Sequence, residues 1–202
     1  MLLVVAMQTQ GFASARGMLR VNGQAKVDGT SVPGSMAITE GQSISIDEAS
    51  SATLEIGTTK IFVSPNTNFK YLGPEEVFLS KGGLFVDTSQ QVRTDLSSCA
   101  VVLPNDNSVP NSATKYEIQL KGNDAFVYAR ELPVTVRAGK KSIDLQPQTM
   151  AVIHNYMNPN CTAAYYNEGL TPAMKFLLSS SGTAAIVTGA AIGRQKLSSD
   201  HP

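Results

Sequence analysis

The stretch GQSISIDEASSATLEI, residues 41–56, decides the fold class because polar and apolar residues alternate along most of it. One serine separates Ile44 from Ile46, and one glutamate separates Leu54 from Ile56. A period of two places the apolar side chains on one face of a β-strand, whereas a helix repeats about every 3.6 residues. The stretch therefore predicts two short strands, each with one buried face.

The same alternation recurs throughout residues 17–153. Asn22-Gly23 between alternating apolar residues predicts a hairpin, because both positions tolerate positive φ. Gly, Pro and Asn predict further turns at Pro65-Asn66, Lys81-Gly82-Gly83, Gly122-Asn123, Ala138-Gly139-Lys140 and Pro147-Gln148. We expect an all-β domain, built as a β-sandwich, a jelly roll or a short β-solenoid, with residues 88–115 as a long connection between two halves.

The composition agrees with one folded domain and its tails. The chain has 202 residues, of which 42 % are hydrophobic and 16 % charged, and its formal net charge is zero. That is apolar enough for a packed core and too apolar for disorder. The balanced charge and the absence of a basic stripe give no support for a nucleic-acid partner.

The first fifteen residues, MLLVVAMQTQGFASA, are typical of an export signal. A short apolar core, residues 2–7, precedes Ala13-Ser14-Ala15, which is the small-x-small pattern that signal peptidase accepts. No Lys or Arg precedes Leu2, so we expect that the true signal starts earlier. The alternative is a buried first strand or helix.

The other end contains FLLSSSGTAAIVTGAAIG, residues 176–193, without a charged residue. A helix of this length would measure about 27 Å, close to the hydrocarbon thickness of a bilayer. Arg194 and Lys196 follow it, and the positive-inside rule places them in the cytoplasm. We expect a linker at 154–175, a transmembrane helix at 176–193 and a tail at 194–202, with a flexible or amphipathic segment as the alternative. Gly189 and Gly193 form a GxxxG pair that would allow helix–helix contact and self-association.

The sequence shows no pattern of catalytic or metal-binding residues. His154 is the only histidine in the body, which excludes a histidine-rich metal site. We interpret it as a surface residue at a strand end. The carboxylates are interpreted as solvated charges at turns: Glu75, Glu76, Asp124 and Asp144. We expect no enzyme activity and no cofactor. Cys99 and Cys161 permit one disulfide in an exported protein or remain two separate buried thiols.

Several of these strand motifs, in their order, resemble a FecR-like domain of bacterial envelope proteins. The resemblance covers about two thirds of the chain. It rests on VNG (21–23), GQSISI (41–46), SATLEI (51–56), IFVSPNT (61–67), VFLSKGG (77–83), TKYEI (114–118) and AFVYA (125–129). Regulators of the FecR type carry an N-terminal helical region that binds a sigma factor, and nothing before Gly17 resembles it.

The resemblance therefore implies the envelope domain without the regulatory role. Together with the two apolar ends, it predicts a non-enzymatic β domain on the outer side of the cytoplasmic membrane. We expect a binding or assembly module whose partner is an envelope protein or a glycan. The alternatives are a structural spacer or surface-display protein and, less favoured, an enzyme that acts on cell-wall glycans.

Overall fold

The computed structural model describes residues 17–105 and 113–166, and these residues form strands and turns with no helix. The all-β prediction is therefore confirmed. Within this part of the chain, no helix has the length and apolar character needed to cross a membrane. The strands are β1 (Gly17–Val27), β2 (Thr30–Ile38), β3 (Ser43–Ile46), β4 (Ser51–Ile56), β5 (Thr59–Val63), β6 (Thr67–Gly73), β7 (Glu76–Lys81), β8 (Gly83–Thr88), β9 (Arg93–Asp95), β10 (Ala100–Pro104), β11 (Thr114–Lys121), β12 (Asp124–Ala129), β13 (Val134–Ala138), β14 (Lys141–Leu145), β15 (Thr149–His154) and β16 (Thr162–Tyr166).

All sixteen strands belong to one continuous sheet. Its order is β14-β13-β10-β9-β7-β6-β3-β1-β4-β5-β8-β11-β12-β15-β16, and β2 pairs with β1 beside this path. The neighbours in this order are antiparallel except β7 and β9, which are parallel. A β-solenoid stacks parallel strands, so that alternative does not fit the observed pairing.

Asn22-Gly23 is not the predicted hairpin turn, because β1 continues through it. Before this point β1 pairs with β4, and after it β1 pairs with β3. The turn from β3 to β4 packs against Gly23, where Gln24 N donates a hydrogen bond to Ser50 Oγ at 2.8 Å. A Cβ on Gly23 would lie 2.3 Å from that oxygen, and its φ is +106°. The glycine therefore allows β1 to change partner strand rather than to reverse direction.

The hairpin of β1 and β2 turns at Asp28-Gly29 instead. Val27 pairs with Thr30, so the loop has two residues. The φ angles of Asp28 and Gly29 are +49° and +80°. Positive φ at both positions is the type I′ turn that matches the twist of a hairpin.

Two segments expected to be connections contain strands. The long connection at 88–115 includes β9 and β10, and Val92 and Leu96 beside them are buried. The linker expected at 154–175 includes β16, which pairs with β15. Tyr156 and Cys161 in that range are also buried. The domain therefore extends beyond 153, at least to Tyr166.

The two ends of the sheet meet, because β14 contacts β16. The Tyr165 hydroxyl donates a hydrogen bond to the Asp144 carbonyl oxygen at 2.7 Å. A disulfide joins Cys99, just before β10, to Cys161, just before β16. The sheet thus curls around a single core, and the covalent link lies where its ends come together.

The core is made by the inward-facing residue of every second position. Its largest fully buried side chains are Leu19, Ile38, Ile44, Ile46, Leu54, Ile61, Tyr71, Leu79, Leu84, Leu96, Tyr116 and Ile118. The Tyr116 hydroxyl is hydrogen-bonded to Thr94 Oγ1 and to the Val92 carbonyl oxygen, both at 3.1 Å. Burial raises the pKa of Tyr116, so this hydroxyl stays neutral over the ordinary pH range.

Gly82 connects β7 to β8 at a point where the chain leaves one part of the sheet for another. Its φ is +83°, and an added Cβ would lie 2.6 Å from Thr67 Cα and 2.8 Å from the Asn66 carbonyl oxygen. Both are backbone atoms, so no side-chain rotation can relieve the overlap.

We expect Gly82→Ala to lower the free energy of unfolding by about 2–3 kcal/mol, from overpacking and positive φ together. Gly122→Ala is the matched control, because its φ is +60° and no atom lies within 4 Å of the added Cβ. That control should cost only about 1 kcal/mol. Urea denaturation of the two variants measures the difference, and equal losses would contradict the close-approach argument.

Three of the predicted segments lie outside the described residues. These are the signal at 1–15, the transmembrane helix at 176–193 with Gly189 and Gly193, and the tail at 194–202. They remain predictions.

Candidate functional site

His154 and Cys99 do not form a reactive pair. His154 lies at the end of β15 with its side chain 52 % exposed, and its Nδ1 is 3.3 Å from Asp124 Oδ1. Cys99 is bonded to Cys161 and has no thiol to offer a base. Within the described ranges, no three His, Cys, Asp or Glu residues are placed to hold a metal ion.

The scattered carboxylates also form no cleft in the described part. Glu76 on β7 is hydrogen-bonded to Asp95 on β9, and this bond raises the pKa of Glu76, with burial adding to the rise and Arg93 opposing it. Asp144 accepts a hydrogen bond from Thr135 at 2.7 Å. Two shallow depressions lie elsewhere on this surface, and no carboxylate lines either of them. The glycosidase arrangement of two carboxylates facing each other across a cleft is therefore not formed by these residues.

Aromatic side chains form a row across the outer face of four neighbouring strands. Phe62 on β5 pairs with Phe85 on β8, Phe85 pairs with Glu117 on β11, and Glu117 pairs with Tyr128 on β12. The two phenylalanine rings are 5.5 Å apart between centroids. The Arg130 guanidinium lies 5.6 Å from the Phe85 ring and 5.7 Å from the Tyr128 ring. We call this surface, Phe62, Phe85, Glu117, Tyr128 and Arg130, the aromatic face.

An ion pair lies at the centre of the aromatic face. Glu117 Oε1 contacts Arg130 Nη2, and the Glu117 side chain is only 9 % exposed while the Arg130 side chain is 36 % exposed. Glu117 Oε2 is buried and accepts no hydrogen bond from any described residue. Burial raises the pKa of Glu117, and the positive charge of Arg130 opposes that rise. The outer face of the sheet thus holds a carboxylate that is largely removed from water.

The sequence predicted Glu117 only as an outward-facing residue of an alternating strand. Its burial depends on neighbours from other strands, which the period of β11 does not reveal. One feature of the sequence did indicate that the outer face is covered here. Ile61-Phe62-Val63, Leu84-Phe85-Val86 and Phe126-Val127-Tyr128 are apolar without alternation, which indicates strands covered on both faces.

The disulfide lies in an open depression of about 480 Å³ at the joined ends of the sheet. Lys140 and Lys141 line it together with both cysteines. Cys161 N lies 3.1 Å from Cys99 Sγ, and Gly139 N donates to the Cys99 carbonyl oxygen at 3.0 Å. The backbone around the bridge is therefore held by hydrogen bonds as well as by the covalent link.

Comparison with known proteins finds similarity among solved structures. No family model matches the sequence, and no curated protein matches it. Two crystal structures of a candidate anti-sigma factor from Parabacteroides distasonis are similar at 15 % identity, with TM-scores of 0.47 and 0.45. Each match covers 61 % of this chain and 59 % of the other chain, so less than two thirds of that protein is matched. No family model supports the resemblance to a FecR-like domain, and it stays a prediction.

Proposed function

We propose that this chain is a non-enzymatic module of the bacterial envelope that binds a protein partner through the aromatic face. The observation that carries the proposal is the composition of that face. Tyr, Phe and Arg are enriched at protein interfaces, and their energetic centres combine aromatic rings with arginine. Phe62, Phe85 and Tyr128 are half-buried and keep part of each ring accessible. Arg130 is held against two of these rings, so little rotamer freedom is left to lose on binding.

The envelope location is supported by the disulfide. Disulfides persist in oxidising compartments and are rare in the cytosol. The predicted export signal and the predicted C-terminal span agree with that location, and they would leave the β domain on the outer side of the cytoplasmic membrane. The GxxxG pair Gly189 and Gly193 would then support self-association within the membrane.

A photo-cross-linking experiment in intact cells tests location and binding together. A benzoylphenylalanine at position 85 should give a specific protein adduct, and spheroplasts should lose the β domain to added protease. The same residue at position 137, which is exposed on β13 away from the aromatic face, is the control and should give no such adduct. Recovery of a protected full chain in the cytosol would overturn the location. Equal adducts at both positions, or none, would overturn the binding face.

A structural spacer is the second candidate. Among the described residues only Met18, Met157 and Tyr165 are exposed large hydrophobics, and a nearly polar surface favours a domain without a partner. A membrane-tethered domain that gives no adduct at position 85 would favour this function. A glycan cross-linked at position 85 instead of a protein would favour glycan binding.

A further inference from the structure

A second depression, separated from the aromatic face by β4 in the strand order, has a different chemistry. It has a volume of about 360 Å³ and lies on the outer surface of β1, β3, β6 and β7. The side chains that matter to its chemistry are Lys26, Ser43, Ser45, Asn68, Lys70 and Phe78. No carboxylate lines it.

The strand register brings these side chains to one face. Lys26 pairs with Ser45, and Ser45 pairs with Asn68. Lys70 lies two positions beyond Asn68 and pairs with Ser43. Neighbouring strands are about 4.8 Å apart, and alternate residues of one strand are about 6.8 Å apart. Lys26 and Lys70 therefore lie on two sides of Asn68, and their four-carbon side chains are long enough to approach it.

Both lysines are exposed and have no ion-pair partner in the part of the chain that the structure describes. The nearest carboxylate along β1 belongs to Asp28, and it is already engaged. Its Oδ1 accepts a hydrogen bond from Ser43 N at 2.9 Å, and its Oδ2 accepts one from Gln42 Nε2 at 3.1 Å. Both donors are neutral, so Asp28 keeps its negative charge beside the depression, but it forms no ion pair with Lys26 or Lys70 within the described residues.

The floor of the depression adds a neutral donor. The Ser45 hydroxyl donates to Asn68 Oδ1 at 2.8 Å, and the Ser80 hydroxyl donates to the Asn68 carbonyl oxygen at 3.1 Å. Each of these bonds uses one lone pair of an Asn68 oxygen. The two N–H groups of its amide remain as donors, and an amide nitrogen cannot accept. Between the lysines the surface thus offers the amide N–H groups of Asn68 as donors, beside serine hydroxyls that can donate or accept.

We propose that this depression, which we call the donor groove, binds the phosphate group of a phosphate ester. A phosphate oxyanion accepts several hydrogen bonds at once, and lysine ammonium groups bind it as point charges. Phe78 is half-buried at the edge of the groove and provides an apolar surface for the esterified part of the ligand. The proposal is independent of the aromatic face and of the function proposed for it.

The test is a titration of the folded β domain in the full chain, followed by NMR of the Asn68 side-chain amide. Glycerol 3-phosphate should shift the Asn68 Nδ2 resonances at low salt, and 0.5 M NaCl should reverse the shift because screening shortens the Debye length to a few ångström. Lys26→Gln and Lys70→Gln should each weaken binding roughly tenfold, since each removes a charge-assisted hydrogen bond. Lys121→Gln, an exposed lysine in the β11–β12 hairpin, is the control and should leave binding unchanged.

Vesicles that contain phosphatidylglycerol distinguish the source of the phosphate. Binding to the soluble ester and not to vesicles identifies a soluble ligand. Vesicle binding that Lys26→Gln and Lys70→Gln abolish identifies a lipid headgroup. The proposal is overturned if neither probe shifts Asn68, or if Lys121→Gln weakens binding as much as the groove variants do.

Discussion

Loss of the Cys99–Cys161 disulfide is expected to lower the free energy of unfolding by about 4 kcal/mol. The two cysteines are separated by 62 residues in sequence, so the bridge removes a large loop-closure entropy from the unfolded chain. Most small domains are stable by only about 5–15 kcal/mol in total. The reduced protein should therefore retain only a marginal native state.

The position of the bridge gives a second reason for a large effect. It joins the start of β10 to the start of β16 where the two ends of the sheet meet. The Tyr165–Asp144 hydrogen bond joins β16 to β14, and it is exposed. Without the disulfide, β16 is held mainly by its pairing with β15 and by the buried Ala163. We expect β16 to open first.

Urea denaturation checks this result on three samples: oxidised wild type, reduced wild type and the Cys99→Ala/Cys161→Ala variant. The two samples without a bridge should agree to within about 1 kcal/mol, because only the small side-chain change separates them. Hydrogen exchange should show the β16 amides losing protection before those of β11 and β12. A loss below about 1 kcal/mol in both samples would show that other contacts hold the ends together.

The sequence predicted the elements of this fold better than their connections. The alternation of polar and apolar residues correctly indicated strands such as β3, β4 and β11, because this pattern is local to each strand. It could not indicate that β8 pairs with β11, or that β1 pairs with both β3 and β4. Those pairings depend on long-range packing. The same limit explains Asn22-Gly23, where the glycine accommodates Ser50 from a distant turn.

The missed strand β16 has a different cause. Its sequence, TAAYY, has no alternation of large apolar residues, and the Asn- and Pro-rich stretch before it is typical of a linker. The disulfide and the pairing with β15 make it a strand, and neither is visible in its local sequence. The two candidate surfaces follow the same rule. No local pattern marks the residues of the aromatic face or of the donor groove as a site, because their grouping depends on strand register.

The last prediction concerns the Glu117–Arg130 ion pair of the aromatic face. Arg130→Met should lower the free energy of unfolding by about 3–5 kcal/mol at pH 8, because it leaves the Glu117 carboxylate buried without its partner. Removing the charge of Glu117 instead should lower the free energy of unfolding by less. Glu117→Gln leaves Arg130 charged, but that side chain is 36 % exposed and can turn toward water. The asymmetry follows from which partner is buried.

The pH dependence identifies the cause of the loss. Burial raises the pKa of Glu117 above its ordinary value of 4.5, and Arg130 limits the rise. A carboxyl group whose pKa is raised in the folded state is more easily folded in its protonated form. The loss of stability from ionising it is therefore absent below its unfolded pKa and grows as the pH rises through the folded pKa. In Arg130→Met the pKa rises further, so most of the loss at pH 8 should disappear near pH 4.5.

The double variant Arg130→Met/Glu117→Gln separates charge from packing. It has no buried charge, so its stability should recover toward wild type and should not show this pH dependence. Urea midpoints at pH 4.5 and pH 8 for the wild type, both single variants and the double variant complete the cycle. If Arg130→Met loses equal stability at both pH values, the arginine acts by covering Phe85 and Tyr128 and not by its charge. In that case the aromatic face would be held by packing alone, and Glu117 would have no electrostatic part in its order.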